Sequence, residues 1–280
     1  MKKILIATTA LVATAGVAAA DVSLSGSARM GLQYDSAAPS GTTVQLENRI
    51  RLNFTATGET DGGLGWGARI RITKLNEGVN GGTDDSVVWI SGGWGKLTFG
   101  DVDSGDNIIT GQIDGVGYTG NGDLNEVGYV SDGAAHALYE YSSNGFSAAI
   151  STSQFVAGSE NIGVGIGYAT DTWSVGLGYG ETATDDTLTL KGSVTFGTTT
   201  VKAIYQDLSS ATDDAYGLSA SGAFGAVGVT AFYLRDHNTN DNYGIGASYD
   251  LGGGATLAGG ISRDGGLAKT LAEVGITMKF

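Results

Sequence analysis

From residue 22 almost to its last position the chain is written with a period of two. Over residues 22–34, Val22, Leu24, Ala28, Met30, Leu32 and Tyr34 alternate with Ser23, Ser25, Ser27, Arg29, Gly31 and Gln33. Successive side chains on a strand point to opposite faces, so each such run has one apolar face and one polar or small face. Residues 44–56 repeat the pattern, with Leu46, Ile50, Leu52 and Phe54 against Gln45, Glu47, Arg49, Arg51 and Asn53; Asn48 is the exception on the apolar side. Residues 64–72 set Leu64, Trp66, Ala68, Ile70 and Ile72 against Gly65, Gly67, Arg69 and Arg71. Thirteen weaker runs follow, at 86–92, 96–100, 136–142, 146–152, 162–170, 173–180, 187–196, 201–207, 216–224, 227–234, 243–251, 255–262 and 271–280. The expectation is sixteen strands. Residues 86–100 alternate least, and without their two strands the count is fourteen.

The connectors alternate as well. Long ones at 35–43, 73–85 and 101–133 are separated by short ones at 58–63, 93–95 and 143–145, and the order persists to the end, with short turns at 171–172, 197–200, 225–226 and 252–254. An antiparallel up-and-down transmembrane β-barrel with tight turns on one side and loops on the other predicts this order. An even strand count brings the two ends to the same side, where the first strand and the final run ending in Phe280 pair and remove the sheet edges. Aromatic residues near strand ends, among them Trp89, Tyr168, Trp173, Tyr179, Phe196, Tyr216 and Tyr243, suit interfacial girdles. Rows such as Gly163, Gly165 and Gly167 opposite Ile162, Val164 and Ile166 predict a wall facing an open, wet lumen, since a soluble sandwich needs large residues inside.

Lys2 and Lys3, an apolar run to Val17 and Ala18-Ala19-Ala20 before Asp21 read as a cleaved export signal over residues 1–20, leaving 21–280 as the barrel. The apolar run is shorter than a bilayer span, and no later run approaches that length, so a membrane-embedded form has to be a barrel. The formal charge is −14, and −16 without the two lysines of the leader. This acidity excludes nucleic acid as a partner, because phosphate binding needs clustered Lys and Arg. With no cysteine there are no disulfides and no thiolate metal sites.

The segment 101–133 is the longest without sustained alternation. It carries Asp101, Asp103, Asp106, Asp114, Asp123, Glu126 and Asp132 and no Lys or Arg. A connection of this length in a compact fold points to a functional loop. It is expected to fold into the barrel mouth and to oppose Arg29, Arg49, Arg51, Arg69 and Arg71, which share the polar faces of the first three strands; Lys74 lies at their margin. Opposed charges across a pore create a transverse field that favours small polar solutes and sets ion preference. The alternative is that these arginines only neutralise Glu47 and their surroundings. The acidic excess predicts weak cation selectivity. Asp101, Asp103 and Asp106 are also weak calcium candidates, although no EF-hand spacing is present. An enzyme reading has little to rest on, with only His136 and His237 and no partner spacing for either.

Residues 22–31, the Gly95-Lys96-Leu97-Thr98-Phe99-Gly100-Asp101 step, Asn125-Glu126-Val127-Gly128-Tyr129, Tyr139-Glu140-Tyr141-Ser142 and the Tyr249-Asp250-Leu251-Gly252-Gly253-Gly254-Ala255 segment resemble the general porins of Rhodobacter-type α-proteobacteria. The resemblance spans nearly all of residues 21–280. It implies a sixteen-stranded outer-membrane barrel of a Gram-negative bacterium, a homotrimer embedded in outer-membrane lipid, with its third extracellular loop folded inward as a constriction. The function expected is a passive, water-filled channel for ions and small hydrophilic solutes, without a cofactor. The alternatives are a secreted or surface β protein with an adhesive or structural role, and an outer-membrane enzyme.

Overall fold

The computed structural model describes residues 20–75, 85–153 and 160–280. The expected leader lies outside them except for Ala20, as does most of the second long connection. The described residues form sixteen strands: β1 (Asp21–Asp35), β2 (Val44–Glu59), β3 (Gly65–Leu75), β4 (Asp85–Gly92), β5 (Gly95–Gly100), β6 (Ala137–Ser143), β7 (Phe146–Thr152), β8 (Ile162–Ala169), β9 (Trp173–Glu181), β10 (Asp186–Phe196), β11 (Thr199–Leu208), β12 (Ala215–Phe224), β13 (Val227–Arg235), β14 (Asp241–Gly252), β15 (Ala255–Asp264) and β16 (Lys269–Lys279). One short helix, α1 (Gly105–Thr110), lies between β5 and β6. Both strands of the weakest stretch, β4 and β5, are present, which decides for sixteen over fourteen.

Every strand pairs antiparallel with its neighbours in sequence, and β1 closes on β16. Ser27 stands opposite Lys279 and Asp35 opposite Leu271, while the Gly26 and Phe280 backbones exchange hydrogen bonds of 2.7 and 3.1 Å. Closure leaves no unpaired edge, the condition for a sheet to stand in hydrocarbon. The apolar rows turn outward: Leu24, Met30, Leu46, Ile50, Phe54 and Ile70 are all exposed on the barrel's outer face. The short connector at 143–145 closes as a two-residue hairpin turn, with Asn144 and Gly145 both left-handed at φ 50° and 82° between β6 and β7.

Two aromatic bands ring the outside. Tyr179, Tyr205, Tyr216, Tyr233 and Tyr243 lie toward the long connections, and Phe146, Tyr168, Trp173, Phe196, Phe224 and Tyr249 toward the short turns. On the loop side the hydroxyls of Tyr205 and Tyr233 donate to Asp214 and Asp241, each at 2.7 Å. An aromatic ring with a polar tip suits the boundary between lipid and water. Trp89 departs from the expected girdle. Its neighbours Val88 and Ile90 face outward, and its own ring covers the lumen side of Gly67 on β3.

The glycine rows also differ from expectation. Gly163, Gly165 and Gly167 on β8 and Gly176, Gly178 and Gly180 on β9 do not border open water, because α1 lies directly on them. A Cβ on Gly178 would stand 2.9 Å from the Asp106 Cβ, and one on Gly165 2.6 Å from the Gly105 carbonyl oxygen. Absence of side chains here permits close approach of one backbone to another. The inner core is likewise built by the inward loop. Ile113, Val116 and Val127 pack with Ile204, Ala215, Phe232 and Leu234 of β11–β13.

Candidate pore constriction

Residues 101–136 form a tongue that enters the barrel after β5 and follows the inner wall. At its neck, Asp132 accepts from the Ser104 backbone N–H (2.6 Å) and the Asn107 amide (3.2 Å), and the Gly105 N–H donates to Ser151 Oγ on β7 (2.8 Å). The outgoing leg then crosses β11 and β12, where Asp114 accepts from Lys202 Nζ (2.5 Å) and Ser221 Oγ (2.9 Å). Farther round, Val116 covers Gly246 and Gly260, and Tyr118 covers Gly31 and Gly275. Glu273 on β16 accepts from the Thr119 N–H (2.7 Å) and, through a second short bond, from its hydroxyl. At the tip Gly120, Asn121, Gly122 and Asp123 all have positive φ, which reverses the chain within a few residues. The returning leg is stapled to the outgoing one: Gln112 exchanges two hydrogen bonds with the Val127 backbone (2.7 and 2.8 Å), and Tyr129 Oη donates to the Gly111 carbonyl at 2.7 Å. These bonds give several of the tongue's polar groups partners without a regular sheet.

The arginines occupy the wall the tongue leaves bare. Arg29 stands opposite Arg49 across β1 and β2, and Arg51 and Arg71 lie on adjoining lumen-facing positions of β2 and β3. Three of the five have local carboxylates. Arg29 reaches Glu47 through Nε (2.9 Å) and Nη2 (2.8 Å), Arg71 meets Asp85 at 2.5 Å, and Arg69 lies 3.7 Å from the same Asp85. Glu47 and Asp85 are both buried. Among the described residues Arg49 and Arg51 have no carboxylate within ion-pair distance. Neutralisation by Glu47 therefore accounts for Arg29 and not for the row. Lys74 is not part of it: it pairs with Ile50 on the outward-facing register.

The acids of the tongue divide in two. Asp101, Asp103, Asp123 and Glu126 are exposed, and Asp101 and Asp103 line the cavity that holds Arg69 and Arg71. Asp106 is not at the opening; it is fully buried against β8 and β9, with Oδ1 accepting from Ser131 Oγ at 2.7 Å. Asp114 is spent on Lys202. Partial desolvation between the lumen walls raises the carboxyls of Asp103, Asp123 and Glu126 above their ordinary range. At Asp103 the neighbouring Asp132 and Asp101 add to the rise, and Arg71 and Arg69 oppose it. Asp101, Asp103 and Asp106 do not converge on a calcium site, and among the described residues no three His, Cys, Asp or Glu side chains gather to hold a metal.

Several lumen charges escaped the sequence reading. Asp85, Lys96, Glu140, Lys202 and Glu273 all occupy inward positions of their strands. The signal available for them was the alternation itself, since a charge inside a lipid-spanning strand has to be placed on the lumen face. Lys96 lies 3.5 Å from Glu140 and over the Trp89 ring, 5.4 Å from its centroid. Beside them two cavities meet. One of about 300 Å³ lies between Arg69, Arg71 and the start of the tongue. The other, of about 590 Å³, reaches the short turn after β4. Both include Lys96, Ile108 and Glu140, so together they run from the loop side of the barrel to the turn side.

Comparison with known proteins agrees with this architecture. Residues 7–266 match the Gram-negative porin family. A porin of Rhodobacter capsulatus is 34% identical over 211 residues, covering 67% of each chain. An engineered Rhodopseudomonas blastica porin superimposes with a TM-score of 0.80 at 25% identity, over 93% of this chain and all of the other. A second engineered variant of the Rh. blastica porin gives 0.82 at 23% identity with the same coverage. A closed barrel with an inward tongue, a charged lumen and a family match over nearly the whole length leave one conclusion: the chain belongs to the Gram-negative porin family and is a general diffusion channel of the outer membrane.

Proposed function

We propose that selection in this channel takes place between the arginine row of β1–β3 and the free edge of the tongue, where Asp101, Asp103, Asp123 and Glu126 face the lumen. The observation that carries this reading is the seating of the tongue. It is fixed along β7–β16 and against Gly31, so the continuous passage remains on the side of β3–β7, bordered by Arg69, Arg71 and Lys96 and by Asp101 and Asp103. Opposed rows of fixed charge orient water and polar solutes across the passage, and an apolar solute has to break that order. Transport is passive, with no catalytic step and no bound cofactor or calcium. His237 hydrogen-bonds the Asp213 carbonyl and the Gln206 amide, partners that hold a ring in place without activating a nucleophile. We also propose that residues 1–20 are removed on export and that the barrel assembles as a homotrimer, the state implied by the resemblance to Rhodobacter-type porins; cross-linking of the unheated protein tests the latter.

The test of the constriction is single-channel conductance in a planar bilayer, followed by reversal potential under a salt gradient. A cation-biased reversal that moves toward anions in Asp101→Asn or Asp103→Asn, and toward cations in Arg49→Gln, is expected. Selectivity indifferent to all three substitutions would remove these residues from the constriction.

A further inference from the structure

One feature of the passage serves no purpose in a purely electrostatic filter. Ile108, on a helix whose other side is buried, is 40% exposed inside a water-filled lumen. An exposed helix position in contact with water is normally polar. Facing the same cavity are Leu138 and Val87, both buried, with Val102 at the base of the tongue. Around this apolar floor stand charges of both signs: Arg69 and Arg71, tied to the buried Asp85, on the wall, and Asp101 and Asp103 on the tongue. Arg69 Nε, Arg71 Nε and Thr98 Oγ1 are buried without a hydrogen-bond partner among the described residues, and all three residues line the cavity. Those atoms lie behind the cavity wall, so what the passage meets is the exposed remainder of the two arginine side chains, 36% of Arg69 and 27% of Arg71.

We infer that this cavity is a transient subsite for zwitterionic solutes that carry an apolar side chain, free amino acids of the leucine type. The inference rests on the constriction proposed above. The solute's carboxylate lies toward Arg69 and Arg71, its ammonium toward Asp101 and Asp103, and its side chain over Ile108 and Leu138. At about 300 Å³ the space corresponds to roughly ten waters and to the lower end of small-molecule sites. It is continuous with the wider cavity below, so a solute held there leaves easily toward the turn side. Guanidinium groups match carboxylates in planar geometry. A sugar offers neither charge, and glycine offers no side chain for the apolar floor.

Ion-current noise of single open channels tests this with three probes: L-leucine, glycine and the uncharged N-acetyl-L-leucinamide. Leucine is expected to add several-fold more noise than either of the others. Ile108→Ser is expected to bring the leucine signal down to that of glycine, and Arg69→Gln to reduce it several-fold, in protein whose heat-modifiable gel mobility reports a folded barrel. The three-probe comparison on the unaltered protein stands even where a variant fails to fold. Equal noise from leucine and glycine through a conducting channel overturns the subsite and leaves the porin reading intact. Noise from N-acetyl-L-leucinamide equal to that from leucine overturns recognition of the zwitterion. A silent bilayer from folded protein overturns the constriction and the subsite together.

Discussion

The lumen has two walls built from the same alternation, and they do opposite things. On β8 and β9 the inward positions are glycines, and a helix lies flat against them. On β1–β3 the inward positions carry Arg29, Arg49, Arg51, Arg69 and Arg71, and the tongue touches this wall at its β1 edge, where Tyr118 covers Gly31 and lies beside Glu47 of β2. Long cationic side chains hold other chain segments off and keep water, whereas glycine invites contact. The comparison shows that the course of the tongue, and with it the place of the opening, is set by what the wall omits as much as by what it presents.

The strongest way to break the contrast is to fill the glycine wall. Gly178→Val places branched carbons against the Asp106 backbone, where no rotamer change relieves the clash. Overpacking of this kind costs about 3 kcal/mol. Detachment of the tongue is expected, read as chymotryptic cleavage at Tyr118 or Tyr129 accelerated by roughly a hundredfold in barrels that otherwise remain folded. Unchanged cleavage would mean that the glycines are not the seat. A smaller loosening should follow from Ile113→Ala, which empties part of the cluster around Leu234 and Phe232. Truncation of a buried isoleucine costs about 2 kcal/mol at the low end of the usual range, and it should show as protease sensitivity at lower urea than in the parent.

Changes on the arginine wall sharpen the contrast without moving the tongue. A unit charge ~10 Å from a passing ion in water contributes about 0.4 kcal/mol, close to a factor of two. Each charge removed favours a cation and disfavours an anion by that factor, so joint substitution Arg49→Gln and Arg51→Gln is expected to raise the cation-to-anion permeability ratio roughly sixteenfold in dilute salt, with the effect fading as salt screens it. Reversal potentials at two ionic strengths measure both parts.

The smallest expected effect is in the pH profile. Burial, with Asp132 and Asp101 nearby, holds the Asp103 carboxyl above its ordinary range. It accordingly gains its proton at higher pH than a free aspartate, and cation preference begins to fall there as pH is lowered. The Asp103→Asn channel should lack that early step and start from a lower preference at neutral pH. An identical profile in both proteins would count against Asp103 at the opening.

Much of the barrel was legible because its signal is local. The outward row of β1, the Asn144-Gly145 turn and the alternation of long and short connections all depend on residues a few positions apart. The site was legible in part. The arginine row followed from strand faces, but Asp106 and Asp103, identical in type and three residues apart, have opposite fates. One is buried under Ser131, and the other is open to the lumen. The glycines of β8 and β9 misled for the same reason, since a bare face looks alike whether water or a helix covers it.

The sequence alone therefore determined the run of strands, which side of most of them meets lipid and the cationic row, because period-two geometry converts position directly into direction. Only the tertiary structure decided where the tongue lies, which of its acids reach the passage, that Lys202 and Glu273 are its fixed partners, and that Asp85 holds Arg69 and Arg71. Those outcomes depend on contacts such as Thr119 with Glu273 and Asp114 with Lys202, between residues far apart in the chain. Barrel closure sets them side by side, and no local pattern encodes the meeting.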